Sequence, residues 1–600
     1  MTPAHEFTWH EEVTPDVKVN NRDLDPTWLD AMVSLTVQVG YRLPGRCVLR
    51  FADPKHELVE AAPAFDAEVD VSISGAKVFS GVVTGVSLER PEHATSDLVV
   101  VVDDRAHVLA ALTKVRTFLN STTSDIVAVL AAEAGLTSQV DATSTKFDTI
   151  VQAGTHLALI DELTAREGLD WWVEGKTLHA ARPSVSTRVR VGMEALLALS
   201  VRTSGRPRTE VKVNGWDPST KREITGNAQA PQPPEPAKSK MATRAYHPDR
   251  PGKGTALVSA VSPLSADEAT TLAKVLSGEA SSRGVVVRAT THVDRQIALG
   301  AEVELIDAGP ANGTYPVTQV EHIWSRSGFR TKFVAGERRP TSLVDTLGAV
   351  APLGGAPIHS VLQHGGLVVG IVTSIKDDGT GGGPAQLGRV KLKLPAISGE
   401  METGWARVAM PGAGNQRGAF FLPEVNDEVL VGFEGGDLRR PVVLGGLYNG
   451  KDKPKAYTVS SSTTTGGRRI TSKNKYIVEL ADGPSPDKQH VLLQLDDVKA
   501  KIRLGKDKVE VESPGGKPIS LKSGNSLIEI GQDGSITIKG TNVTIESQGE
   551  LKLSGMNASV AAEAKAEISA KAMLAVKSDG MGEVAASGIM TVKGAMVKIN

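Results

Sequence analysis

Residues 367–395 read LVVGIVTSIKDDGTGGGPAQLGRVKLKLP, and residues 418–450 read GAFFLPEVNDEVLVGFEGGDLRRPVVLGGLYNG. Short β-branched runs alternate with glycine, proline and aspartate, the punctuation of strands joined by tight turns. Five or so strands of this kind make a small Greek-key barrel. The glycine-rich run from Gly379 lacks a Gly-Lys-Ser/Thr ending and lies between strands, so it does not read as a phosphate loop.

Toward the C-terminus the chain alternates apolar and polar residues from about Lys473. Pairs such as Ile528 and Ile530, Ile536 and Ile538, Val543 and Ile545, and Leu551 and Leu553 mark short strands, as do Met590 with Val592 and Val597 with Ile599. A period of two gives each strand one buried and one wet face. The second apolar residue recurs near every eighth position, at 530, 538, 545, 553, 560, 568, 576, 584, 592 and 599, so each strand is one unit of a stacked array. Residues 558–578 are rich in helix formers, yet every even position from Val560 to Val576 is apolar. On the alternative of a helix, Glu563 and Lys565 would lie about 200° apart and no clean apolar face would survive. The alternation predicts an extended, alanine-lined segment. A single ribbon of this kind has two open edges and nothing to cover its apolar face, so the tail predicts an oligomeric β-shaft.

Toward the N-terminus, residues 340–366 read as a linker rich in Pro, Gly and Ala. Strands are expected at 34–39, 47–51, 67–73, 77–88 and 98–102, in a small barrel or sandwich. Ser124 and Asp125 are expected to cap a helix through Glu133 that ends at Gly135. A second helix spans His156–Arg166 and stops at Gly168, and residues 171–173 and 177–179 read as a hairpin. Strands resume over 199–213, a proline-rich break covers 228–240, and a helix at 265–282 precedes further strands up to Val334.

The 600 residues suggest three to five domains, and 4% aromatics with 60 glycines suit β-structure with many turns. A net charge of −2 with scattered Lys and Arg gives no expectation of nucleic-acid binding. The lone Cys47 excludes an intrachain disulfide and a cysteine metal cluster, and its apolar surroundings predict a buried thiol. Neither a signal peptide nor an uncharged apolar run approaching 18 residues is legible. The expectation is a leaderless, cytoplasmic protein that would need a dedicated route out of the cell.

The block 367–450 resembles the OB-fold domain of VgrG proteins and of the central spike proteins of contractile phage tails. The resemblance is carried by Leu387, Gly388, Arg389 and Val390, then by Trp405–Val408 and by Gly418 with Phe421. It continues through Pro423, Glu424 and Val425, through Asp427, Glu428 and Val429, and through Pro441 and Gly445 to Tyr448, Asn449 and Gly450. Asn426 stands where the family usually has glycine, a mild change because asparagine tolerates left-handed turns. Residues 378–386 look like an expanded loop. The segment His156–Trp172 is similar to the helix and aromatic hairpin of the VgrG hub.

That resemblance implies a mainly β fold with tube-type hub barrels at 1–115 and 199–339 around an α+β insertion at 116–198. A linker at 340–366, an OB barrel at 367–450 and a trimeric intertwined β-helix or β-prism at 451–600 would follow. It implies a homotrimeric spike whose pseudo-sixfold hub docks on a hexameric inner tube protein among baseplate proteins, within a particle assembled in the cytoplasm and released with the machine. A PAAR-like tip protein would bind Met596, Val597, Lys598, Ile599 and Asn600, and effector cargo would travel with it. About seventeen repeats at about 4.8 Å each give a needle of roughly 80 Å.

No enzyme constellation is legible. The 13 histidines are scattered, the nearest pair being His359 and His364, and HExxH and G-x-S-x-G motifs are absent. Asp377–Asp378 and Asp496–Asp497 are expected to be solvated turn residues. No catalytic residue, metal site or cofactor is therefore assigned, although three copies of one histidine on a symmetry axis stay open as a metal site. A cell-wall-hydrolase spike would need a domain of at least about 50 residues between Gly450 and the first shaft strands, where only about 20 stand, and a trimeric tail fibre or adhesin would need a globular C-terminal head; neither is expected.

Overall fold

The computed structural model describes residues 15–599 except 91, 93–94, 204–209, 230–237, 242–254, 259–262, 283, 293, 337–364, 380–384, 398–400, 455–465, 484, 496–499 and 516. The proline-rich break, the linker with His359 and His364, most of the glycine-rich loop, Asp496–Asp497 and Asn600 thus lie wholly or largely outside the described residues. The chain divides into two compact units, Met1–Pro454 and Lys455–Asn600.

A 14-stranded sheet dominates the first unit. Its main path runs Leu196–Thr203, Val285–His292, Gly328–Ala335, Gly313–Ser325, Met32–Gly40, Leu43–Ala52, Asp97–Asp103, Ala76–Glu89, Glu68–Ile73, Pro15–Val19 and Arg22–Asp23. Alternation does what the sequence implies: in Leu43–Ala52, Cys47, Leu49 and Phe51 point into a core with Leu35, Val37, Val100 and Val102. Burial pushes the Cys47 thiol far up, so it stays protonated. A second core gathers Val189, Val191, Val287, Val303, Tyr315 and Phe333.

The two regions expected as separate barrels share this one sheet. Strand Gly313–Ser325 pairs with Gly328–Ala335 on one side and with Met32–Gly40 on the other. Its 13 residues are long enough to serve both cores. Region 199–339 is also composite. Strands Glu210–Asp217, Arg222–Gln229 and Thr255–Val258 form their own sheet under a helix at Ala266–Ser282. Gly226 permits that packing, because a Cβ there would lie 2.2 Å from the Ala269 carbonyl carbon.

The insertion carries helix α1, Thr123–Glu133, and helix α2, His156–Glu167; the helix at Ala266–Ser282 is α3. The α1 cap is Thr122 rather than Ser124. Its hydroxyl accepts from the Asp125 amide while the Asp125 carboxylate accepts from the Thr122 amide, a capping box that fixes the start two residues earlier than expected. Helix α2 ends at Gly168 with φ 71°, a left-handed cap that glycine adopts without strain. Ile126, Leu130, Leu159, Leu163 and Trp171 join in one core.

The OB barrel uses strands β1 (Val368–Ser374), β2 (Lys391–Lys393), β3 (Arg407–Val408), β4 (Glu428–Phe433) and β5 (Pro441–Gly446) in the order β2-β1-β4-β5-β3. Val372, Val390, Leu392, Val429 and Val431 are fully buried, each contributing about 1.5–3 kcal/mol. Val151 from the insertion completes this core.

The second unit starts with a five-stranded antiparallel meander from Gly467 to Glu512 and a three-stranded one from Ile519 to Lys539. From residue 541 to 599 the backbone forms no strand pairing or helix and bends at 541–542, 548–549, 556–557, 563–564, 571–572, 579–580, 587–588 and 595–596. Ile528–Ile530 and Ile536–Ile538 thus lie in paired strands, whereas Val543–Ile545, Leu551–Leu553, Met590–Val592 and Val597–Ile599 find no ladder within one chain.

Candidate assembly surfaces

The motif residues of the OB block separate into two groups. One group builds the barrel. Arg389 grips the Asp377 carboxylate through Nη2 and Nε at 2.7 and 3.1 Å, and its guanidinium lies 5.8 Å from the Trp405 ring centre. Burial works against ionisation of Asp377, but Arg389 and the Leu387 amide outweigh it and hold the carboxyl below its ordinary range. Asp377 is therefore a buried structural acid, not the solvated turn residue expected. Asp427 accepts from the Glu424 amide at 2.8 Å, and Asn426 takes the turn at φ 77°. Asn449 donates to Glu428 and accepts from the amides of Lys451 and Asp452, pinning the exit of β5. Val390, Val429 and Pro441 are buried, and Gly445 lies within β5. The other group stays on the surface: Leu387, Val425 and Tyr448 are exposed, as is the neighbouring Phe420.

An ionic cluster joins the barrel to the hub. Arg439, fully buried, chelates Asp437 and donates to Glu268 of α3 at 3.0 Å, with Phe147 5.7 Å beneath its guanidinium. Burial opposes the charge, but Glu268 and Asp437 more than offset it and hold the proton firmly on Arg439. Arg166 of α2 lies 3.5 Å from the same Glu268 and bonds Glu162 at 3.0 Å. Around the cluster, Arg440 donates to the Trp216 carbonyl at 2.6 Å and Thr117 to that of Glu402 at 3.2 Å. Removing one member of such a buried set strands its partners' charges. Sequence reading missed Asp437, Arg439 and Glu268; the GGDLRRP run held two of them, but their partner lies 171 residues away.

The tail shows the opposite situation. In its meander, Ile470, Val478, Leu493, Ile502 and Val511 stand directly opposite one another across five strands. All five are between 43% and 52% exposed. The other face carries paired charges, including Arg469–Glu479 at 3.3 Å and Lys501–Glu512 at 2.6 Å. Beyond residue 541 every described residue is exposed. The recurrent apolar positions from 545 to 599 each lie four or five residues after a bend begins, so backbone period and apolar period coincide. Met596, Val597, Lys598 and Ile599 continue this pattern, all exposed.

Among the described residues, no group of three His, Cys, Asp or Glu side chains is placed to hold a metal. His156 is bound by Glu133 at 2.8 Å, and His322 is buried against Thr331 at 3.0 Å. No described helix is long and apolar enough to cross a membrane.

Two family models match the chain. Residues 42–328 fit the phage tail baseplate hub, and residues 368–448 fit the type VI secretion system/phage-baseplate injector OB domain. The type VI secretion system spike protein VgrG3 of Vibrio cholerae is 31% identical over 110 residues, 18% of this chain and 11% of that protein. VgrG1c of Pseudomonas aeruginosa is 32% identical over 92 residues, 15% of this chain and 13% of that protein. The matches thus span little more than a tenth of these relatives. Among solved structures, the E. coli c3393 protein, a type VI secretion system component, aligns at 13% identity and TM-score 0.46, over 72% of this chain and 99% of that one.

Proposed function

We propose, from the premise that this chain is a VgrG-like spike protein with a baseplate-hub module followed by an injector OB module, that three copies form the central spike of a contractile injection apparatus. The hub seats on a hexameric inner tube among baseplate proteins, and the OB barrel joins hub to shaft. Sheath contraction drives the shaft through a target envelope. The segment Met596–Asn600 receives a PAAR-like tip protein, and effectors travel with the tip or in the tube. The chain's role in this reading is mechanical.

The observation that carries this reading is the bare tail. Its cross-strand apolar rows and its unpaired, regularly bent repeats lack both a covering layer and ladder partners within one chain. Further copies of the same tail supply both, and a closed bundle leaves no edge to catch during piercing. The hub–OB ionic cluster complements it by tying the barrel to the part that takes the thrust.

Sedimentation of the full-length chain is the direct test. A species of three times the chain mass at micromolar concentration is expected, and a stable monomer overturns the spike reading.

A further inference from the structure

The OB sheet is apolar on both sides. Its inner face buries Val368, Val372, Val429, Val431 and Val443. On the outer face, Val369 stands opposite Leu430, and Leu367 and Leu444 close over Gly432, 3.2 and 3.6 Å from where its Cβ would be. Leu367 is 58% and Leu444 47% exposed. One row further along β1, Lys393, Ile371 and Glu428 stand in register and edge the patch with charge. Antiparallel sheets ordinarily keep one face wet, so this outer face is built to be covered.

A second apolar surface lies at the other end of β1. The Asn426 amide donates to the Val372 carbonyl there at 2.8 Å, which brings Val425 to that end. Nearby in the chain, Phe420 and Phe421 are 71% and 58% exposed, and the Phe420 ring covers Gly388 beside Leu387. A Cβ on Gly388 would come within 3.0 Å of that ring, and its φ of +68° favours glycine as well.

We propose that the three OB barrels associate head to tail in a closed ring, the leucine face of one receiving the phenylalanine end of the next. This rests on the trimeric reading above. Copies related by a threefold axis meet through two unlike surfaces, unless identical faces converge on the axis itself. Each barrel exposes two such surfaces. One is a flat aliphatic face with a glycine at its centre, and the other carries two exposed phenylalanines consecutive in sequence, side chains of the kind that anchor interfaces. The tail of the same chain independently requires further copies, so a second copy is the occupant at hand.

The chain's only cysteine, Cys47, is fully buried, so introduced cysteines are the reactive ones. Leu444→Cys, Phe421→Cys and the double variant of the full-length chain are treated with a short bis-maleimide and run on a denaturing gel. The double variant is expected to give covalent dimer and trimer bands, and each single variant only the monomer band. A dimer band from Leu444→Cys alone, the most that one thiol per chain can give, places identical faces together on the axis and overturns the head-to-tail ring. No ladder from a double variant that still sediments as a trimer also overturns the ring and assigns the leucine face to another partner. A monomer in sedimentation overturns the trimeric reading instead, which separates the two failures.

Discussion

Strand Val368–Ser374 of the OB barrel and strand Ile536–Lys539 of the tail are composed alike, short and rich in β-branched residues. Yet Val372 in the first is fully buried, whereas Ile536 in the second is 68% exposed. The local pattern sets which way side chains point; whether anything covers them depends on closure. The barrel curls until β2, β1, β4, β5 and β3 enclose a core. The described residues of the tail's meanders and bent repeats gather into no core cluster, so their apolar face is left uncovered within one chain.

The largest break in this comparison is removal of the tail. A chain ending after Gly450 keeps the hub and OB cores and is expected to lose the stable trimer at concentrations where the full chain retains it. Size-exclusion chromatography with light scattering checks this, and unchanged assembly would refute the structural role of the shaft. Next comes the ionic cluster on the self-sufficient side. Arg439→Ala strands Glu268 and Asp437 and is expected to cost about 3–5 kcal/mol in denaturant unfolding of the hub and barrel. Arg439→Met, which fills the volume, should recover part of that loss.

A smaller effect follows from His322. Burial pushes its imidazole down to about 4, so the unfolded chain binds more protons than the folded one between pH 6.5 and 4. Its contribution is complete above pH 6.5 and is lost as pH falls toward 4, by up to about 3 kcal/mol. Thermal unfolding across that window should steepen accordingly, and His322→Gln should flatten the profile. Asp104, raised by burial to about 7, has the opposite slope, being most favourable at low pH and losing its contribution as pH rises to 7. Comparing variant with parent removes that background. The smallest effect belongs to the tail's surface: Glu567→Gln, which breaks the exposed pair with Lys565, should change stability by less than about 0.5 kcal/mol.

Much of this was legible in the chain. The stop of α2 at Gly168 follows from glycine's freedom at positive φ, and the eightfold apolar period of the tail coincides with its bends. The OB motif located a barrel, because its Val and Leu runs between glycines leave few other solutions. What stayed hidden is what depends on residues far apart in sequence. Glu268 and Arg439 carry no mutual mark in the text, and Asp377 reads as a turn residue until Arg389 folds over it. Strands expected over 199–213 were real, but pattern alone could not assign Leu196–Thr203 to the large sheet and Glu210–Asp217 to a separate one under α3. The runs LVVGIV and VLVGF read as barrel strands, and their lack of polar alternation also records a second face in need of cover.

The unpaired repeats of residues 541–599 also have a bearing on biosynthesis. On the proposed trimeric reading, a ribosome releases a chain whose hub and barrel have their own cores, while residues 541–599, which carry no strand pairing within one chain, await other copies. Maturation is then a concentration-dependent step that follows translation rather than accompanying it. In the interval each nascent spike displays a long strip of bare aliphatic side chains. On the same reading, the yield of assembled spikes depends on chain concentration as well as on the stability of each domain.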